Sequence, residues 1–235
     1  MKAFVAGATG FTGREVVSDL CGQGLETFAH VRPDSHRLEE WRQRFSIAGA
    51  TVETTPWEHK AMTQTFARLR PSIVFCLIGT TRKRGKQASA IDPETGIQDY
   101  ESVDFGLTEL LLNACLEAQI LPRFVYLSSI GTGPDAGNAY SQARYKAEEA
   151  VRQSGLPYTI ARPAIIHGPG RDDSRPMEHV AATLGDSLLA LSGVFGARRL
   201  QQRYRSISNL ELAAALIRIA IDPETVNSIV ERKDL

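Results

Sequence analysis

Short apolar runs alternate with amphipathic segments along the first two thirds of the chain. Runs that are apolar at nearly every position predict buried β-strands, and apolar residues at a spacing of three or four predict helices that pack on a sheet. The predicted strands are residues 2–6, 27–31, 50–54, 73–78, 124–127 and 158–161. The predicted helices between them include residues 11–20, 103–118 and 140–153. This alternation predicts an α/β fold with a doubly wound, mostly parallel sheet of the Rossmann type.

The regular alternation weakens after Arg162-Pro163. Gly168-Pro169-Gly170 interrupts the chain, residues 176–191 predict a helix in a separate lobe, and residues 209–221 predict a final amphipathic helix that returns to the core. We therefore expect a nucleotide-binding core over residues 1–165 and a small C-terminal substrate or partner lobe over residues 166–235.

Three glycines follow the first predicted strand and open the first predicted helix. Gly7, Gly10 and Gly13 stand three residues apart, where a dinucleotide site needs a tight turn, close approach of a pyrophosphate and close packing of helix on strand. The helix N-terminus adds N–H groups and the positive end of a dipole. The alternative is a turn whose glycines serve packing alone. The cofactor contacts expected here come from Gly7, Thr9, Gly10, Phe11, Thr12, Gly13 and Arg14.

The end of the second predicted strand bears on the choice of nucleotide. An NAD site usually carries an acid there for the ribose 2′-hydroxyl, but this strand ends in Arg32 before Pro33. Arg32, with help from Arg14, is suited to a 2′-phosphate, which favours NADP. Asp34 keeps NAD open, and Arg32 as a solvated charge is the alternative.

Composition and charge exclude several classes of protein. The 27 basic residues balance the 27 acidic ones, which argues against a nucleic-acid partner. Three widely spaced cysteines indicate neither a disulfide framework nor a metal site, and the five histidines show no metal-ligand spacing. No apolar run is long enough for a membrane span, and the N-terminus lacks a signal-peptide pattern. We expect a cytoplasmic monomer or homodimer with no metal.

The segments Gly7–Gly13, Leu127-Ser128-Ser129 and Tyr140 resemble the short-chain dehydrogenase/reductase superfamily in its atypical branch. Within it, the chain is most similar to NAD(P)H-binding proteins related to the human Tat-interacting tumour-suppressor oxidoreductase. The segments that carry this narrower likeness are residues 76–82, 127–129 and 174–176. The resemblance implies that Ser129 orients a substrate carbonyl and that Tyr140 transfers a proton.

The superfamily places a lysine four residues after the tyrosine, where it binds the nicotinamide ribose and favours the phenolate. That position is Arg144 here, and Glu148 supports this register because the family has a glutamate at the same distance from its lysine. The alternative register uses Lys146 but puts Gln142 in the tyrosine position. Tyr140 and Arg144 lie one helical turn apart, so a cation would stabilise the phenolate, yet an arginine gives up no proton.

Further cofactor contacts are expected beyond the carboxyl ends of later strands. Gly79, Thr80 and Thr81 follow the fourth strand and so face the ligand crevice of a doubly wound sheet, and the resemblance adds Pro163. These features predict an NADP(H)-dependent oxidoreductase that reduces a small carbonyl substrate. The altered Tyr-x-x-x-Lys pair keeps a second hypothesis open, namely a non-catalytic NADP(H)-binding regulator or assembly protein with a protein partner.

Overall fold

The structure, a computed structural model, describes residues 1–79, 101–168 and 206–235. Its strands are β1 (Lys2–Ala6), β2 (Glu26–His30), β3 (Thr51–Glu53), β4 (Ile73–Cys76), β5 (Arg123–Leu127), β6 (Tyr158–Arg162), β7 (Ile166–His167), β8 (Ile207–Ser208) and β9 (Ser228–Glu231). Its α-helices are α1 (Gly13–Gly22), α2 (Leu38–Ala48), α3 (His59–Leu69), α4 (Leu107–Glu117), α5 (Ala139–Gln153) and α6 (Asn209–Ile221). A π-helix, Glu101–Gly106, leads into α4, and short 3₁₀-helices occupy Pro223–Thr225 and Arg232–Asp234.

Seven strands form one parallel sheet in the order β3-β2-β1-β4-β5-β6-β9. The chain first builds outward from β1 through β2 to β3 and then crosses back to β4 on the other side. The doubly wound α/β fold predicted from the apolar pattern is confirmed. The reversal of strand order between β1 and β4 creates the crevice where ligands bind in such sheets.

Each face of the sheet is covered by helices because successive strand residues point to opposite sides. On one face, α1, α2 and α6 pack over Val5, Phe75 and Val125. On the other, α3, α4 and α5 pack over Phe4 and Tyr126. Burial on both faces explains why the central strands have apolar residues at nearly every position.

The C-terminal segment returns to the sheet. α6 packs against α1, and β9 pairs in parallel with β6. Residues 169–205, which hold most of the predicted lobe, lie outside the described residues, so the division at residue 165 stays a prediction. Within the three described ranges, no helix is long and apolar enough to cross a bilayer.

Candidate functional site

The glycine turn between β1 and α1 is packed against the end of β4. Gly7 has a φ of 84°, and a Cβ placed there would lie 2.6 Å from the carbonyl oxygen of Leu77. A Cβ on Gly13 would lie well inside van der Waals contact of the Gly7 carbonyl oxygen. At these two positions a side chain would force the strand, turn and helix apart, so packing alone accounts for both glycines.

Gly10 differs from the other two glycines because it is exposed. Its N–H donates to the Gly7 carbonyl at 2.9 Å, and a Cβ would meet only that carbonyl, at 3.1 Å. The outer side of the turn is therefore bare backbone. Thr12, the N-cap of α1, makes no side-chain capping bond, while the N–H groups of Arg14 and Glu15 donate to the carbonyls of Gly10 and Thr12. This cradle fits the pyrophosphate of a dinucleotide.

The remaining turn residues hold the cradle in place. Thr9 is half-buried, while Phe11 and Arg14 pack together, with the Arg14 guanidinium carbon 5.4 Å from the Phe11 ring centre. Arg14 Nε donates to Glu15 at 3.2 Å, and its side chain is 9% exposed. Asn209 of α6 donates to the Phe11 carbonyl at 3.4 Å. The C-terminal helix thus supports the turn directly.

Arg32 lies just beyond the end of β2 and projects into solvent. Its side chain is 48% exposed, and it forms an ion pair of 3.7 Å with Asp34, which is 71% exposed. A loose pair between exposed charges is weak. Arg32 is accordingly accessible to a 2′-phosphate, while the buried Arg14 is held by Glu15.

The two serines after β5 have different surroundings. Ser128 is buried and its hydroxyl donates to Glu148, which also accepts two bonds from Arg162, at 2.9 and 2.5 Å. Ser129 is half-buried, with its Oγ 3.2 Å from the Thr132 hydroxyl. Ser128 belongs to a buried network that ties α5 to β6, so Ser129 is the hydroxyl of the pair with access to the crevice.

Arg144 shares a face of α5 with Tyr140, as the sequence predicts. Tyr140 is half-buried, and the Arg144 guanidinium carbon lies 5.3 Å from its ring centre. The guanidinium is nevertheless buried, and it bonds inward. One terminal nitrogen donates to the carbonyl of Leu127 and, at 3.4 Å, to the hydroxyl of Tyr126; the other donates to the Ile78 carbonyl at 3.2 Å. Arg144 therefore joins the ends of β4 and β5.

Asp104 completes the shell around Arg144 and was not anticipated from the sequence. Its carboxylate lies 2.8 Å from the second terminal nitrogen of Arg144, and both side chains are buried. Burial lowers the pKa of Arg144, but its neighbours Tyr126, Tyr140 and Asp104 raise that pKa by more, and an arginine stays cationic in a protein. The available signal was an acid at the second position of the predicted helix over 103–118, which also contains Glu109 and Glu117.

Gly79 is exposed at the end of the β4 segment, and a Cβ there would lie 2.5 Å from a terminal nitrogen of Arg144. Pro163 is buried after β6, and its carbonyl accepts from the Ile130 N–H at 2.9 Å. Thr80 and Thr81 lie outside the described residues. Among the residues that are described, no group of three acids, histidines or cysteines is placed to hold a metal.

An open glycine turn at the switch point of a doubly wound parallel sheet defines a nucleotide-binding protein of the Rossmann class. The model of the NAD(P)H-binding family matches residues 7–186, and the chain belongs to that family. It is 27% identical to the chloroplastic protein TIC 62 of Arabidopsis thaliana over an alignment of 248 positions, which covers 97% of this chain. It is 30% identical to the mitochondrial protein fmp52-1 of Aspergillus oryzae over 178 residues, covering 73% of this chain and 68% of that one.

The chain spans 35% of the length of the Arabidopsis relative, so the match concerns one part of a longer protein. Among solved structures, the anaerobilin reductase ChuY from Escherichia coli O157:H7 superposes with a TM-score of 0.64 at 12% identity, covering 98% of this chain and 97% of that one. At this identity the likeness concerns the fold. Together, the family and the fold indicate an NAD(P)H-binding protein with a Rossmann-type sheet.

Proposed function

We propose that this protein is an NADP(H)-dependent oxidoreductase that reduces a small carbonyl substrate. The observation that carries the proposal is the exposed backbone of Gly10, since packing accounts for Gly7 and Gly13 but leaves the outer side of the turn open. The same edge of the sheet carries Ser129 after β5 and Tyr140 at the start of α5.

The turn from Gly7 to Gly13 would hold the pyrophosphate, and Arg32 would contact the 2′-phosphate. When bound, the nicotinamide supplies or accepts a hydride. The half-buried Ser129 would donate a hydrogen bond to the substrate carbonyl oxygen. Tyr140 would then give that oxygen a proton, so that the addition of hydride and proton together converts the carbonyl to an alcohol.

Arg144 would take no direct part in moving the proton. Its terminal nitrogens are bonded to three backbone or side-chain oxygens and to Asp104. An arginine also gives up no proton in a protein. The proton that restores Tyr140 would therefore reach it from solvent or substrate rather than through this position.

The first test concerns the cofactor. Replacement of Arg32 by alanine is expected to weaken NADPH binding by about tenfold or more and to leave NADH binding within about twofold, because a charge-assisted bond to phosphate is lost. Titrations followed by nicotinamide fluorescence measure both affinities. Equal losses for the two cofactors would overturn the 2′-phosphate assignment.

Arg42→Ala is the matched control for that experiment. Arg42 has the same side-chain exposure as Arg32, 48%, and a comparable partner in Glu39, but it lies on α2. We expect it to change neither affinity. A similar loss in both variants would indicate a general charge effect rather than a contact.

The second test concerns proton transfer. Tyr140→Phe is expected to lower the turnover of a carbonyl substrate by about 10²- to 10⁴-fold, the usual contribution of a general acid, while cofactor affinity stays unchanged. A screen of carbonyl compounds for NADPH oxidation provides the substrate. Tyr145→Phe, five residues further along α5, serves as the control and should retain turnover. Full activity of Tyr140→Phe would remove the proposed role.

A second candidate function is a non-catalytic NADP(H)-binding regulator or assembly protein. The inward bonding of Arg144 favours it, because the residue at the position of the family's lysine is engaged with Leu127, Ile78 and Asp104. Under this reading the protein binds NADPH tightly, yet no carbonyl compound is reduced. A cytoplasmic location, a monomeric or homodimeric state and membership of the Tat-interacting subgroup stay predictions alongside it.

A further inference from the structure

The ion pair between Asp104 and Arg144 is fully enclosed. Asp104 has no exposed side-chain surface and Arg144 has 7%. Taking two charges out of water costs several kcal/mol per ion unless the partners and hydrogen bonds are well placed. A pair this deep, directly beneath the residue proposed to transfer the proton, requires an explanation beyond general stability.

The π-helix is the element that delivers the carboxylate. Asp104 lies within Glu101–Gly106, which packs against α5, and its carbonyl accepts a bond from the Thr108 hydroxyl at 2.7 Å. A π-turn has one residue more than an α-turn, so it changes which side chains face a neighbouring helix. Such turns are frequent at functional sites.

The titratable groups around Arg144 come from four elements: Asp104 from the π-helix, Cys76 from β4, Tyr126 from β5 and Tyr140 from α5. Burial raises the pKa of Cys76 to about 11 and raises the pKa of Tyr126 beyond its usual range, so both groups are neutral at physiological pH. Within the described residues that face Arg144, Asp104 is thus the anion that balances it.

We propose that Asp104 is a positioning residue that fixes and neutralises Arg144, so that Tyr140 works above a buried ion pair of zero net charge rather than above a lone cation. The pair holds the ends of β4 and β5 together and keeps the guanidinium against the face of the Tyr140 ring. The phenol of Tyr140 lies next to the combined charge of Asp104 and Arg144. Each of these two charges can be removed separately by substitution.

The test is a spectroscopic titration of the Tyr140 phenol in the apo protein. Asp104→Asn leaves an uncompensated cation, which favours the phenolate, so the titration midpoint should fall by about one pH unit. Arg144→Met removes the cation next to the phenol, so the midpoint should rise. The double variant removes both charges and should return the midpoint close to that of the parent. The chain has six tyrosines, so each spectrum is compared with that of the same variant carrying Tyr140→Phe.

The titration midpoint should shift in opposite directions in the two single variants. Damage to packing would not produce shifts of opposite sign, so this result would identify an effect of charge. Thr108→Val is the control, since it removes the hydroxyl that bonds the Asp104 carbonyl without altering charge, and its midpoint should match the parent. Shifts in one direction for both charge variants, or none, would overturn the proposal. If Asp104→Asn does not fold, a comparison of Arg144→Lys with Arg144→Met serves as the test. The lysine variant keeps the positive charge and the methionine variant loses it, so only Arg144→Met should raise the midpoint.

This inference rests on the proposed role of Tyr140 but not on turnover. The titration needs neither cofactor nor substrate, so a protein that reduces no carbonyl still reports on the ion pair. Conversely, an active enzyme whose midpoints do not move would keep the proposed function and lose this inference.

Discussion

Replacement of Arg144 by methionine should lower the free energy of unfolding by about 3–5 kcal/mol, the usual cost of breaking a buried ion pair by removing one partner. The variant leaves the enclosed carboxylate of Asp104 without its counter-charge and leaves the carbonyls of Ile78 and Leu127 without this donor. Urea unfolding followed by circular dichroism measures the change. Arg144→Lys should fall between methionine and the parent, because it keeps the charge but lacks the planar fork.

Arg152→Met is the matched control, since it is the same substitution on the same helix. Arg152 pairs with Glu149 at the surface, with side-chain exposures of 47% and 31%. Exposed pairs of this kind contribute about 0–1 kcal/mol. A loss for Arg144→Met as small as that for Arg152→Met would show that the interior pair does not hold the two strands together.

Replacement of Gly13 by alanine should abolish measurable NADPH binding and destabilise the fold by about 1–3 kcal/mol. The new methyl group would overlap the Gly7 carbonyl oxygen. Because this oxygen belongs to the backbone, it cannot move aside by a change of side-chain rotamer. Either α1 moves away from β1 or the turn opens, and both movements spoil the cradle. Cofactor titration and urea unfolding together measure the two effects.

The same helix provides the control for this prediction. Gly22 lies at the other end of α1, and a Cβ there would meet nothing within 4 Å. Gly22→Ala should leave cofactor binding unchanged and raise stability by up to about 1 kcal/mol, because alanine is the better helix former. If Gly13→Ala behaved like Gly22→Ala, the contact between turn and strand would not matter.

The fold was predictable because its signals are local. The predicted helix at residues 209–221 matches Asn209–Ile221, and the predicted strand at residues 73–78 contains Ile73–Cys76. Both predictions follow from the spacing of apolar residues. A parallel sheet with helices on both faces buries its central strands completely and buries one face of each helix, so both leave a pattern in the sequence. The glycine turn was equally local, since three glycines between a strand and a helix allow few other arrangements.

The surroundings of Arg144 were not predictable in the same way. The pattern predicted one regular helix over residues 103–118, whereas the structure has a π-helix followed by α4. The extra residue in the π-turn changes which side chains share a face of the helix. The face on which Asp104 lies therefore cannot be predicted from the regular spacing of an α-helix. The strand β9 was missed for another reason: of its four residues only Val230 is buried, so it has no apolar run.

The position of β9 has a consequence for how the chain is made. β6 pairs with β5 from the start, but its other edge is covered only when residues 228–231 arrive, after the whole intervening segment has been synthesised. Until then a nascent chain presents the open backbone edge of β6, which contains the apolar Ile160 and Ala161, as a template for another strand. A chain interrupted before residue 228 keeps that edge permanently, so premature termination should yield aggregates rather than a slightly shorter folded protein.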